Sequence, residues 1–171
     1  MRIITQGMNL PLILREDGVG ASVQKICYPA ISSCITITCV GTAGIAGAHL
    51  TVLTTAAQLA ETIQSLRSSG IGAYKVCYVI GAIRHFKTYV KEGAINTRKK
   101  ISTALESALG GPSRPLFYDT SSLGEVHVFA ERVMESCHFS YCMANSVVVA
   151  GQYYPAQVNS YSIAGHLFTS V

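Results

Sequence analysis

Cys34 and His49 are the two side chains whose types and placement suggest covalent chemistry. They bound the stretch CITITCVGTAGIAGAH, an alternating apolar segment, a turn of small residues and a second apolar segment. A free thiol has a reference pKa of about 8.5 and is mostly protonated at neutral pH. A neighbouring imidazole takes its proton and leaves a thiolate–imidazolium pair that attacks acyl carbons. Attack builds charge on the acyl oxygen, and the backbone N–H groups of Ser33 and Cys34, with those of the following turn, are the candidate donors for it. The histidine then returns its proton to the leaving group. Taken singly, Cys34 reads as a buried strand cysteine and His49 as a core histidine bonded to backbone. Taken together, on two strands folded back by a glycine-rich turn, they read as nucleophile and base.

That pairing needs particular elements around it. Residues 34–40 alternate, so Ile35, Ile37 and Cys39 share one face and Cys34, Thr36 and Thr38 the other. Residues 41–47 read as the turn and residues 49–53 as the next strand. Residues 2–5, 10–14 and 21–27 read as earlier strands. The period then changes. Thr55-Ala56-Ala57-Gln58 forms a capping box, Leu59, Ile63 and Leu66 recur at helical spacing, and Gly70 ends the helix. Residues 75–83 read as a strand. A second helix, capped by Asn96 or Thr97, carries Ile101 and Leu105 on its buried stripe, and Gly110-Gly111-Pro112 stops it. Residues 116–118 and 125–130 read as a strand pair, and 147–150 and 162–168 as short strands. The expected class is α+β, a mixed or antiparallel sheet system with two main helices packed on it. One domain spanning 1–171 is expected, with 131–171 as a C-terminal extension packed on it.

Composition narrows the chemistry. The 171 residues suffice for a real core, and with 49% apolar and 13% charged residues the chain is not a disordered one. A net charge of +4 and a single basic run, Arg98-Lys99-Lys100, argue against nucleic acid as a partner. The apolar runs have strand length, so no membrane insertion is expected. The N-terminal MRIITQGMNLPLILREDG has neither the apolar core nor the cleavage site of a signal peptide, so the expected location is the cytoplasm, or outside by a route needing no such peptide. Six cysteines at 27, 34, 39, 77, 137 and 142 sit largely in apolar runs and are expected to be reduced. Cys137, His138 and Cys142 resemble half a metal site with no second pair, so no metal and no cofactor are expected.

A family resemblance adds to this reading. Ser33-Cys34 followed by Gly47-Ala48-His49 resembles the motifs of the CheD family of chemoreceptor glutamine deamidases. Val79-Ile80-Gly81-Ala82, Gly93-Ala94-Ile95-Asn96 and Leu123-Gly124-Glu125-Val126 are similar to later segments of that family, in the same order, over roughly residues 20–130. The Cys-His core is also shared by deamidase toxins of the cytotoxic necrotizing factor type. The resemblance implies a CheD-like sandwich and a hydrolase that converts a protein glutamine to glutamate and ammonia. Cys34 would be its nucleophile and His49 its base. It also implies a third group that orients the histidine. Tyr28 stands where the family has a threonine; its hydroxyl or a backbone carbonyl takes that role. Ser32, Gly81 and Ala82 are the candidate substrate contacts.

The implied partner is a target protein, either a bacterial chemotaxis receptor or a protein of a host or rival cell attacked by a secreted effector or toxin, with a regulatory or immunity protein beside it. A binding module that kept the fold without the activity and a cysteine peptidase remain the alternatives. Arg84, His85 and Lys87 read as a solvated turn, His127 as facing outward and Asp119 as a turn residue. Tyr153, Tyr154 and Tyr161 read as packing of the extension or as a partner surface, and His138 and His166 find no partner.

Overall fold

The computed structural model describes residues 4–6, 11–88, 103, 106–107, 115–144 and 161–162. Most of the expected helix over 97–109 (its described residues 103 and 106–107 are helical), the strand at 147–150, most of that at 162–168, and Arg98, Tyr153, Tyr154 and His166 lie outside the described residues. Among those described, eleven strands and two helices run in the order β1 (Ile4–Gln6), β2 (Leu12–Ile13), β3 (Val19–Ser22), β4 (Lys25–Ile31), β5 (Ile35–Gly41), β6 (Ile45–Leu50), α1 (Ala56–Arg67), β7 (Tyr74–Gly81), α2 (Ile83–Thr88), β8 (Leu116–Asp119), β9 (Val126–Val133), β10 (Ser136–Met143) and β11 (Tyr161–Ser162). One sheet has the order β1-β3-β6-β5-β7-β8 and the other β11-β10-β9-β4-β2. Both are mixed: β1–β3, β7–β8 and β2–β4 are parallel and the other pairs antiparallel. The class is α+β.

Strand alternation builds two cores. Ile35, Ile37 and Cys39 of β5, Ala46, Ala48 and Leu50 of β6 and Val79 of β7 pack with Leu59, Ile63 and Leu66 of α1. Cys34, Val40, Ile45 and Ile80, on the other face, pack with Ile26, Tyr28 and Ile31 of β4 and with Val126 and Val128 of β9. The six-stranded sheet is thus the middle layer, between α1 and the five-stranded sheet. The capping box of α1 forms: Thr55 Oγ1 accepts from the Gln58 N–H at 3.3 Å, and Gln58 Oε1 accepts from the Thr55 N–H at 2.8 Å.

Three sequence expectations shift. The strand read over 21–27 is two strands in different sheets, joined by Val23 and Gln24. Ser22 Oγ accepts from the N–H groups of Gln24 (3.3 Å) and Lys25 (3.1 Å), which turns the chain there. The turn read over 41–47 is a two-residue loop, Thr42-Ala43, closed by the Gly41 N–H on the Gly44 carbonyl at 2.8 Å; β6 already begins at Ile45. Gly47 is therefore a strand residue. A Cβ there would lie 2.0 Å from the Tyr28 hydroxyl, so the glycine makes room for a phenol of the opposite sheet. The extension expected from residue 131 begins inside β9, and β10 pairs with β9 along its whole length.

Gly81, which ends β7, has φ +153°, and a Cβ on it would lie 2.4 Å from the Cys34 carbonyl oxygen and 2.6 Å from Ile35 Cα. Backbone must approach backbone here. Gly81→Ala is expected to destabilise the fold by at least about 1–3 kcal/mol, read as a lower midpoint in urea unfolding.

Candidate active site

The β5–β6 register sets Thr36 opposite His49 and Ile35 opposite Leu50. Since Ile35, Ala48 and Leu50 face α1, His49 faces the other sheet, as Cys34, Thr36 and Tyr28 do. Cys34 lies two positions before Thr36 on that face, making it a diagonal neighbour of His49 across the ladder, a backbone spacing of roughly 7–8 Å that long side chains bridge. Both are buried, Cys34 at 3% exposure and His49 at 0%.

A segment before β3 holds both groups. The Leu14 carbonyl lies 3.1 Å from His49 Nδ1, the Asp17 N–H donates to the His49 carbonyl at 2.9 Å, and the His49 N–H donates to the Gly18 carbonyl at 3.0 Å. With Nδ1–H on the Leu14 carbonyl, Nε2 is the basic nitrogen, and this buried atom has no hydrogen-bond partner. The Cys34 thiol donates instead to Glu16 Oε1 at 3.6 Å. Thiol and imidazole therefore share a face without a hydrogen bond between them. The same segment, through Ile13, Leu14, Arg15, Glu16 and Gly18, lines a surface cleft of about 270 Å³.

The electrostatics oppose a ready-made ion pair. Burial pushes the Cys34 thiol up to about 11, the Glu16 carboxylate beside it adds to the rise, and a hydrogen bond from the Ser33 side chain works against it. Burial also lowers the His49 pKa, outweighing the Leu14 carbonyl, Glu16 and Asp17, which raise it. Both shifts favour the neutral forms, because each charge would lose its water, and so oppose the thiolate–imidazolium pair expected from sequence.

Tyr28 does not orient His49 through its hydroxyl. That group is bonded to Thr38 Oγ1 at 2.7 Å and donates to the Ile37 carbonyl at 3.2 Å, while its ring meets the imidazole edge-on at a centroid distance of 6.3 Å. Of the two orienters left open by sequence, the backbone carbonyl holds the ring. Tyr28→Phe is accordingly expected to cost about 1–3 kcal/mol, because Thr38 Oγ1 loses a buried partner, while a Cys34-dependent turnover, as expected from sequence, would stay within a few-fold of wild type. Urea unfolding and rate measurement on the same preparation check both parts.

The other sequence candidates fall around this pair. Ser32 is exposed, and its carbonyl lies 3.4 Å from His85 Nδ1. Ser33 borders the thiol. Gly81 and Ala82, the candidate substrate contacts, lie against the Cys34 backbone: the Ala82 N–H donates to the Cys34 carbonyl at 3.0 Å. The stretch of Arg84 and His85 is helix α2 rather than a turn; Arg84 Nε pairs with Asp119 Oδ2 at 3.0 Å, so Asp119 anchors a helix start. His127 lies on the face away from Val126 and Val128, as alternation implies, but it is buried there, and its Nδ1 accepts the Ala30 N–H at 3.0 Å. Among the described residues no cluster of three or more His, Cys, Asp or Glu suits a metal, and no helix is long and apolar enough to cross a membrane.

Sequence reasoning missed Leu14 and Glu16. A carbonyl leaves no trace in sequence. Glu16-Asp17 carried a weak one, as adjacent carboxylates before a glycine turn in a chain poor in charge.

No protein-family model matches the chain, and no curated protein matches it. The class that fold and site define is an α+β two-sheet protein with a buried thiol and imidazole on one inter-sheet face.

Proposed function

We propose that the chain is a cysteine-dependent hydrolase of the CheD type, a protein glutamine deamidase built as a single domain over 1–171. One observation carries the reading: Cys34 and His49 enter the same inter-sheet space from neighbouring strands, with Nδ1 held by Leu14 and Nε2 left for proton transfer. Because both groups start neutral, His49 works as a general base during attack. Cys34 Sγ adds to the side-chain carboxamide carbon as its proton passes to Nε2. The imidazolium gives that proton to the nitrogen, the C–N bond breaks and ammonia leaves. Water, deprotonated by His49, then cleaves the thioester to glutamate and the free thiol. Backbone N–H groups of Ser33 and Cys34 are the proposed oxyanion donors. The scheme needs no metal or cofactor.

The proposed partner is a protein carrying the target glutamine, in a bacterial receptor or in a host or rival cell, with the chain acting in the cytoplasm or after export without a signal peptide. A regulatory or immunity protein belongs to the same proposal. A second reading, a binding module without activity, is favoured by the thiol's 3% exposure and its bond to Glu16.

The test is proteome-wide. Soluble lysate is incubated with wild-type protein or Cys34→Ser, and peptides are searched for glutamine-to-glutamate conversion. Conversion of specific glutamines with wild type alone supports the deamidase. New peptide termini without conversion make it a peptidase. Neither change, together with no labelling of Cys34 by a glutamine-like diazoketone, leaves the binding module.

A further inference from the structure

Cys39 and Cys77 face each other between β5 and β7 of the six-stranded sheet. They are directly opposite in the antiparallel β5–β7 register, and their sulfurs lie 2.7 Å apart. Directly opposed residues in such a ladder have Cα atoms about 4.5–5.5 Å apart, inside the roughly 4.4–6.8 Å window that a disulfide spans. Side chains opposite each other necessarily share a face, so neither strand has to turn, slide or bulge for the bond to form. We propose that Cys39 and Cys77 are a redox pair that a hydroperoxide closes into a cross-strand disulfide.

The pair stands apart from the candidate active site. Cys39 and Cys77 belong to the core under α1, whereas Cys34 lies on the opposite face of the same sheet. The inference therefore rests on register and sulfur placement alone, and it holds or fails independently of the deamidase reading. All six cysteines are free thiols in the structure, as expected from sequence; the proposal adds that this pair joins when an oxidant is present.

The two thiols divide the chemistry by access. Cys77 retains 7% exposure and Cys39 none. A hydroperoxide is small enough to reach Cys77 when the sheet breathes. The Cys77 sulfur gives up its proton and attacks the peroxide oxygen, the O–O bond breaks, Cys77 becomes a sulfenic acid, and the leaving oxygen takes that proton and departs as water or alcohol. Cys39 sulfur then attacks the sulfenic sulfur. The S–O bond breaks, water carries away the oxygen with the Cys39 proton, and the disulfide remains. Two thiols are oxidised by two electrons, and one peroxide is reduced.

The experiment treats the folded wild-type chain with hydrogen peroxide, blocks remaining thiols in denaturant, and maps peptides without reduction. The expected result is a mass loss of about 2 Da and one linked peptide pair containing Cys39 and Cys77, reversed by dithiothreitol. The bond should form at a rate independent of protein concentration, and Cys77→Ala should lose the linked pair entirely. Retention of all six thiols under excess peroxide and under diamide overturns the proposal. So does sulfinic acid at Cys77 with Cys39 still free, or linkage of either residue to a different cysteine. The wild-type arm needs no variant to fold.

Discussion

Cys34→Ser is expected to abolish glutamine conversion, and His49→Ala to lower it by roughly 10²–10⁴-fold, the range for loss of a well-placed acid–base group. The asymmetry follows from the site. Serine's hydroxyl is far less acidic than a thiol, and an imidazole whose pKa is lowered by burial is a weaker base still. In His49→Ala the thiol survives, and a water or hydroxide substitutes poorly for Nε2. The two variants must be compared with wild type for fold, since His49 also ties its strand to Gly18 and Asp17 by main-chain bonds that alanine keeps. Conversion that persists in Cys34→Ser would remove Cys34 from the mechanism.

Glu16→Gln is expected to make Cys34 more reactive. The wild-type thiol sits at about 11, first through burial and then through the Glu16 charge and hydrogen bond. The sign is direct: a nearby carboxylate disfavours a second negative charge, so neutralising it lowers the thiol pKa. Below that pKa each unit of decrease raises the thiolate fraction about tenfold, and only the thiolate is alkylated. Burial persists in the variant, so only part of the rise is relieved. Iodoacetamide labelling of Cys34 at pH 8 should accelerate several-fold, with the rate inflection moved to lower pH. An unchanged inflection would mean that Glu16 does not restrain the thiol. The same profile on wild type tests the neutral resting state: labelling should climb through pH 9 and 10 instead of reaching a plateau near neutrality.

These expectations locate what sequence could and could not disclose. The face assignment of Cys34, Thr36 and Thr38 against Ile35, Ile37 and Cys39 was legible, because side chains in a strand alternate whatever the strand pairs with. The α1 capping box was legible because its bonds join residues three apart. Gly47 was misread because its reason is Tyr28, on a strand of the other sheet. Strand β10 was missed although Cys137, Phe139 and Tyr141 alternate toward the inter-sheet core, because only Phe139 is fully buried on that face and Cys142 is buried on the other.

The site divides in the same way. Residue types alone singled out Cys34 and His49 as a candidate thiol and base, and alternation put Cys34 on the polar face of its strand. Tertiary structure decided their state. Leu14, well before His49 in the chain, supplies the carbonyl that holds Nδ1, and Glu16 the carboxylate that holds the thiol, while burial between two sheets favours the neutral form of both groups. Periodicity is a local property that the sequence carries in itself. Desolvation and contacts across many residues come into being only when β3, β4 and β6 are brought together, and those contacts decide whether a thiol is reactive or held.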